Sequence, residues 1–417
     1  MPGLLSVKEA QDRILAVFTS VHTEHIPLAN CAGRILGEDI HAPDDLPPFD
    51  NSSMDGFAVR AADVQGASET SPVRLDIVAD IPAGSPTDVT VQPGQAARIM
   101  TGAPLPAGAD AVVPVEDTDF APNLTSALPV TPVPTQVMIY HGARAGSSIR
   151  LRGQDVRAGQ TLLRKGRKLL PQDVGMLAAV GLAEVCVFRK PRVGLFSSGD
   201  ELVQPGQPLG PGQIYDSNGF VLAAMLERAG AQVIGLGTAQ DDPKQIEAVL
   251  EGALRQEVDL IVTSAGVSVG AFDFVRQVIE ARGGLDFWRV NMRPGKPLAF
   301  GSFAGIPLIG LPGNPVSAFV GCMVFVLPVI FKLSGREQPL LRRDTAILGE
   351  AVESDGRESY LRAEVTRQDG RLVAKLTGHQ GSGNLFSLVQ ANALLIVPSG
   401  VKSLPSGSEA EIWFLDD

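Results

Sequence analysis

The sequence predicts a multidomain protein of the α/β plus β class: a central three-layer α/β/α domain on a mainly parallel sheet, a small inserted β domain and a C-terminal β-barrel. Three observations predict it. Residues 193–335 alternate short β-branched runs with stretches of helical spacing, the pattern of a parallel sheet covered on both faces. Residues 72–140 carry short alternating strands between Gly/Pro turns and no helical period. Past Gly335 the chain returns to short strands, from Leu341 to Asp417. At 417 residues it is also too long for a single core.

Taken in order, Ser6 and Glu9 make a capping box that starts an amphipathic helix over 6–18, apolar at positions 7, 10, 14, 15, 17 and 18. His22 and His25 follow in a loop. Two histidines three apart can ligate a metal, but no third ligand stands near them in sequence, and solvated loop histidines are the simpler reading. Between Asp44 and Arg60, two prolines and a polar run make a loop that turns at Asp55-Gly56 into a strand at Phe57. Asp55 is either a turn former or an acid or metal ligand presented on a fixed loop.

Strands of the small β domain are predicted at Val73–Val78, Gln95–Met100, Ala111–Val115 and Gln136–Tyr140, with Thr101 and Gly102 just past the second. A loose Pro/Thr-rich loop covers 123–136. The stretch Ser148–Asp155 reads as a strand holding Arg150 and Arg152 on one face, as its solvated side or as an anion contact. Pro171 opens a helix, and Glu184–Phe188 is a strand.

In the central domain, strands are predicted at Val193–Phe196, Gln232–Leu236, Leu260–Val262, Leu298–Phe300 and Leu308–Ile309. Helices are predicted at Gly219–Ala229, Asp242–Gln256, Phe272–Ala281 and Pro315–Leu333. The run Val316–Phe331 is almost wholly apolar, yet it is short for a bilayer and contains Pro328, so it is read as a buried helix and not as a membrane span. The last domain has strands at Ser359–Val365, Arg371–Leu376, Ala393–Val397 and Ala410–Phe414, and one polar glycine-rich loop, Thr377–Ser387, which a tight turn alone explains.

Composition narrows the function. Apolar content of 44% with 19% charged residues describes an ordinary globular protein. A net charge of −11 argues against a general nucleic-acid binder, because no basic excess is available for phosphates. Cys31, Cys186 and Cys322 lie far apart with no Cys-x-x-Cys, which argues against a disulfide framework or thiolate zinc site and fits a reducing compartment. No charged segment leads into an apolar core at the N-terminus, so no secretory signal is expected and a cytoplasmic location is the default.

Ligands of parallel sheets bind beyond the carboxyl ends of the strands. Placed there are Ser197 to Glu201, Asp241-Asp242, Ser264 to Asp273 and Pro312 to Asn314, with Arg293 and Lys296 on a stiff neighbouring loop. Strand, Gly/Ser turn, helix is a layout that aims backbone N–H groups at an anion. No Ser–His or Cys–His pairing is evident, which disfavours acyl transfer. Carboxylates, N–H donors and a lysine fit magnesium-assisted phosphoryl chemistry. The same acids also suit helix caps, Asp242 before Pro243 and Asp273 in a first turn, and both roles stay open.

The run Pro47-Pro-Phe-Asp-Asn-Ser-Ser-Met-Asp-Gly-Phe-Ala-Val-Arg60 resembles the signature of the MoeA/gephyrin E-domain family, the molybdopterin molybdenumtransferases. So do Arg98-Ile-Met-Thr-Gly-Ala-Pro104, Ser198-Gly-Asp-Glu-Leu202, Ser264-Ala-Gly-Val-Ser-Val-Gly270, Arg293-Pro-Gly-Lys-Pro297 and Leu311-Pro-Gly-Asn-Pro315. These motifs stand in family order over nearly the whole chain. The resemblance implies insertion of molybdate into adenylylated molybdopterin, with Mg²⁺-dependent release of AMP and formation of molybdenum cofactor. It also implies a central domain similar to MoaB/MogA, a homodimer whose cleft takes residues from both subunits, and a molybdopterin adenylyltransferase as upstream partner. The corresponding domains are 1–50 with 151–189 (linking and dimerisation), 51–150 (inserted β), 190–335 (molybdopterin-binding) and 336–417 (β-barrel).

Carried over by position, the resemblance gives catalytic roles to Asp55, Thr101, Glu201, Asp241, Asp273 and Lys296, and assigns Mg²⁺ to Glu201, Asp241 and Asp273. Substrate contacts fall on Asp155, Ser197, Ser198, Gly199, Ser264, Gly266, Ser268, Gly270, Arg293, Pro297, Pro312, Gly313 and Asn314, and more loosely on Arg362, Ser382 and Ser387. Three positions depart from the family pattern: Gln154 for a glutamate, Ala265 for a glycine and Arg293 for a lysine. Arginine keeps the charge but changes its hydrogen-bond geometry. Two alternatives remain: a molybdopterin adenylyltransferase, which needs only the central domain, and a gephyrin-like scaffold, which would anchor a peptide partner.

Overall fold

The computed structural model describes residues 4–120, 135–264, 272–336 and 342–415, the side chains of Phe272 and Asp273 excepted. The chain divides into two units, one of residues 1–38, 165–175 and 182–417, the other of 39–164 and 176–181.

The first unit is built on a six-stranded sheet in the order Gln232–Ala239, Arg192–Ser198, Leu260–Ser264, Ile306–Leu311, Pro297–Phe303, Gly283–Arg289. The first three pairings are parallel and the last two antiparallel. The predicted pieces Leu298–Phe300 and Leu308–Ile309 are thus arms of one hairpin, and Gly283–Arg289 is an edge strand the sequence reading lacks. Its Gly283-Gly284 start and its polar Asp286 and Arg289 conceal it. Gly283 has a packing reason: a Cβ there would lie 1.9 Å from the Ser302 carbonyl oxygen.

Side chains alternate across this sheet, as a period of two requires. Leu195 and Val262 face one core with Leu222, Leu226 and the helical stretch 315–333, whereas Phe196 and Ile261 face a second with Ile246, Leu250, Val275 and Ile279. The helices beneath these cores are Ser217–Arg228, Pro243–Arg255 and Phe272–Arg282. The first begins two residues earlier than predicted, because Asp216 caps it by accepting from the Gly219 N–H at 2.9 Å.

The apolar helix Pro315–Leu333 is a core element, with 83% of its most hydrophobic window buried. It widens to π geometry at Cys322–Val326, two residues ahead of Pro328. Proline has no N–H for the carbonyl four residues back. That carbonyl, Val324, accepts instead from Gln11 Nε2 at 2.8 Å, a residue of the N-terminal helix Val7–Val17. The capping box at Ser6 and Glu9 forms as the sequence predicts.

Also in this unit, Thr23–Pro27 pairs antiparallel with Glu184–Phe188, placing His25 opposite Cys186. His25 is therefore on a strand and not in a loop. The C-terminal strands Arg343–Leu348, Glu358–Gln368, Arg371–Leu376, Ala393–Val397 and Glu409–Phe414 close into a five-stranded barrel, sealed by pairing of the second with the fourth.

The second unit holds a five-stranded sheet ordered Ala111–Pro114, Gly56–Val59, Gln95–Ile99, Val73–Ile81, Gln136–Ile139. Phe57, Val59, Val113 and Ile139 pack on one face, and Ala58, Ile99 and Val112 on the other. Gly56 is required by this packing, since a Cβ there would sit 2.1 Å from the Val113 carbonyl oxygen. The predicted strand through both arginines is shorter, ending at Arg150; the chain turns before Arg152, and Gly153 has φ +67°. The two arginines accordingly diverge: Arg150 pairs with Asp155, and Arg152 Nε donates to Asp45 Oδ2 at 2.7 Å.

Candidate functional site

Four strand ends of the central sheet carry the predicted polar residues to its carboxyl edge. Ser197 and Ser264 are register partners on adjacent strands, both buried, with their hydroxyl oxygens 2.9 Å apart. Ser198 is also buried, and its hydroxyl has no partner. Gly199 has φ +150°, a backbone conformation that L side chains rarely adopt, so this turn favours glycine. Gly266, Ser268 and Gly270 lie outside the described residues. Asp273 falls in the first turn of its helix, but its side chain also lies outside the description.

The turn after Ser198 meets the one after Ala239. The Asp241 N–H donates to Asp200 Oδ1 at 3.2 Å, and Asp241 Oδ1 is buried without a partner. Burial, then the charges of Asp200 and Glu201, push the Asp241 carboxyl above the usual carboxylate range. Asp242, by contrast, caps its helix, accepting from the Gln245 N–H at 3.1 Å, and the capping reading holds for it. Asp200, Glu201 and Asp241 offer hard oxygen ligands, and the unpartnered buried oxygen of Asp241 is one that a divalent cation would satisfy. The residues therefore fit a divalent ion. The grouping is a loose one, since the only ligand triad drawn within 4.8 Å among the described residues lies elsewhere.

A cleft of about 360 Å³ opens beside this turn. Glu201, Asp216, Asn218, Pro297, Pro312, Gly313, Asn314 and Ser317 are among its lining residues. Asn218 Nδ2 donates to the Gly313 carbonyl at 2.7 Å and fixes the Pro312–Asn314 turn. Asp216, Asn218 and Ser317 escape a sequence reading because each sits inside or just ahead of a helix, where polarity reads as capping. The signal available was the polar Asp216-Ser217-Asn218 run at a helix start.

From this turn the polar chain continues into the barrel. Asn314 Nδ2 donates to Ser382 Oγ at 3.0 Å, and the carbonyl of the adjoining Gly381 accepts from Arg362 Nη2 at 3.1 Å. Arg362 is fully buried; its Nε donates to Ser387 Oγ at 3.0 Å, while Nη1 has no partner. Burial and then the nearby Arg293 charge hold its pKa down to about 10. Arg293 lies on the short strand Met292–Arg293 beside the barrel, and Lys296 is exposed three residues on. A buried arginine with a spare donor and a second cation nearby offer the charge and N–H donors that an oxyanion requires.

In the second unit, Asp55 and Thr101 form one small station. Asp55 Oδ1 accepts from both the backbone N–H and the hydroxyl of Thr101, at 2.7 Å each. Asp155, held by Arg150, is a separate exposed pair.

Comparison with known proteins extends over the whole chain. Residues 5–181 match the family model of the MoeA N-terminal region (domain I and II), 194–332 that of a probable molybdopterin binding domain, and 345–415 that of the MoeA C-terminal region (domain IV). Molybdopterin molybdenumtransferase 2 of Mycobacterium tuberculosis (strain ATCC 25618 / H37Rv) is 41% identical, covering 98% of this chain and 99% of its own. Molybdopterin molybdenumtransferase of Nostoc sp. is 40% identical over 93% of this chain and 87% of its own. Among solved structures, a molybdopterin biosynthesis MoeA protein from Pyrococcus horikoshii superposes with a TM-score of 0.82 at 35% identity, covering 100% of both chains.

Proposed function

Since the chain belongs to the MoeA family of molybdopterin molybdenumtransferases, we propose that it inserts molybdate into adenylylated molybdopterin, releasing AMP and yielding molybdenum cofactor. It is a transferase of molybdenum cofactor biosynthesis. The observation that carries the finer reading is the stranded Asp241 carboxylate beside Asp200 and Glu201, at the edge of a cleft walled by the Pro312–Asn314 turn. An anionic nucleotide conjugate cannot approach three carboxylates without countercharge, so the site needs a cation and has the ligands for one.

Asp241 and Glu201, with Asp273 as the family pattern places it, would hold Mg²⁺. When bound, the ion supplies Lewis-acid polarisation of a phosphate oxygen. The chain's own groups do the positioning. The turns after Ser198 and Leu311 present backbone to the phosphates, and Asn218 keeps the second turn in place. Arg362 and Arg293 receive the oxyanion, with Lys296 free to swing toward it from the surface. Asp55 and Thr101 act as a preformed acid–hydroxyl pair, the threonine holding the carboxylate to one orientation. The reading includes a cytoplasmic homodimer, the four-domain division given by the resemblance, and an upstream adenylyltransferase that supplies the conjugate.

The test is incubation of the purified protein with adenylylated molybdopterin, Mg²⁺ and molybdate, with AMP quantified. Molybdate-dependent AMP release that falls at least about a hundredfold in Asp241→Asn and Glu201→Gln is expected. Release that is indifferent to molybdate, or consumption of ATP with unmodified molybdopterin, would sink it.

A further inference from the structure

We propose that His25, Glu38 and Cys186 form a zinc site apart from the carboxylate cluster at the sheet edge. One ligand atom from each, imidazole nitrogen, carboxylate oxygen and thiol sulfur, lies within 4.8 Å of the other two. Three segments bring them together. His25 and Cys186 are directly opposed on paired antiparallel strands, and Leu36 bridges Val187 on the other side of the same strand. The Gly37 N–H donates to the Cys186 carbonyl at 2.9 Å, which delivers Glu38 to the group. Gly37 permits the approach: a Cβ there would lie 2.7 Å from Thr23 Cγ2 and 3.1 Å from Cys186 Sγ.

The donor set is one that zinc takes. Bonds of roughly 2.0–2.3 Å at tetrahedral angles separate ligand atoms by about 3.3–3.8 Å, so a contraction of about 1 Å completes the geometry. His25 and Glu38 are exposed and free to rotate that far, while the buried Cys186 fixes the sulfur end. Among the described residues none of the three side chains has a hydrogen-bond or ion-pair partner of its own. The nearby Arg34 is committed to Glu24, not to Glu38. Binding displaces the thiol proton to solvent, and thiolate plus carboxylate neutralise the divalent charge. The fourth position stays open to water, and the ion ties the N-terminal strand to Glu184–Phe188.

The full-length protein, stripped with a chelator, is titrated with Zn²⁺ alone and, in parallel, with Co²⁺ as a spectroscopic surrogate. One zinc retained per chain after dialysis and a cobalt adduct with a thiolate-to-metal charge-transfer band are expected. Cys186→Ser removes the band, and His25→Ala, an exposed change that leaves the core intact, weakens binding at least about tenfold. No retained zinc overturns the site. So does zinc held equally by His25→Ala, or a cobalt adduct lacking the sulfur band, which assigns the metal to the oxygen-only acids around Asp241.

Discussion

Asp55 and Thr101 share a single carboxylate oxygen: Oδ1 of the acid receives both the amide and the hydroxyl proton of the threonine, at 2.7 Å each. Thr101→Val removes one of these bonds, and Asp55→Ala removes both. Unfolding by urea should register about 1 kcal/mol for the first and about twice that for the second. A double-mutant cycle should return a coupling near the single-bond value. Additive losses would mean that the two residues act independently.

Stability in the absence of divalent ions should fall as pH rises through the Asp241 titration. Its folded pKa is raised by burial and by Asp200 and Glu201, so the folded chain holds the proton where the unfolded chain has lost it. The stabilisation is therefore complete below the ordinary carboxylate pKa and disappears above the raised one. Asp241→Asn should melt higher than the parent at neutral pH, and Mg²⁺ should raise the midpoint of the parent alone. Calorimetry with and without Mg²⁺ measures both, and an equal Mg²⁺ response in the two proteins would refute the metal assignment.

Arg362 bears an unshared buried donor, so an oxyanion should stabilise the protein through it. Molybdate at a hundred times its dissociation constant adds about 2.7 kcal/mol to the folded state, and Arg362→Met should abolish that gain. The substitution itself should cost about 1–3 kcal/mol, because it leaves the Gly381 carbonyl and the Ser387 hydroxyl without their donors, so the molybdate shift is read against the variant's own baseline. Thermal scans across a molybdate series decide the matter; an unchanged molybdate shift in the variant would exclude Arg362 as the receptor.

Asn218→Ala deletes the donor to the Gly313 carbonyl and should destabilise by about 1–2 kcal/mol. Its kinetic signature should be a raised KM with a smaller change in kcat, since the residue steadies a binding turn and does not meet the reacting atoms. Steady-state assays over a range of adenylylated pterin concentrations separate the two parameters.

The sheet and its carboxyl edge were legible because Leu260–Val262 and Val193–Phe196 are short apolar runs followed by Gly/Ser turns, a pattern with few other meanings. The hairpin edge was not. Gly283 and Gly284 read as breakers although Gly283 closely approaches the Ser302 carbonyl, and a strand paired on only one side needs no continuous apolar run. Ser197 and Ser264 meet as the turn pattern implied. The burial of Arg362 was not legible, since alternation shows which face a residue occupies and not how completely a neighbouring domain element covers it. The His25, Glu38 and Cys186 grouping was hidden for another reason: spacing rules detect ligands carried by one element, and these come from three segments joined only by strand pairing.

The proline in the long core helix has an effect beyond local geometry. Because Gln11 replaces the missing amide at Val324, and Lys332 Nζ reaches the Leu15 carbonyl at 2.7 Å, the first helix of the chain is a splint on the last turns of that rod. The other end of the rod begins at the Asn314 turn, where the cleft is lined. Removing the splint would leave a bare carbonyl in an apolar setting and slacken a lever whose far tip lines the cleft. Residues far from the cleft can thus set how firmly its wall is held.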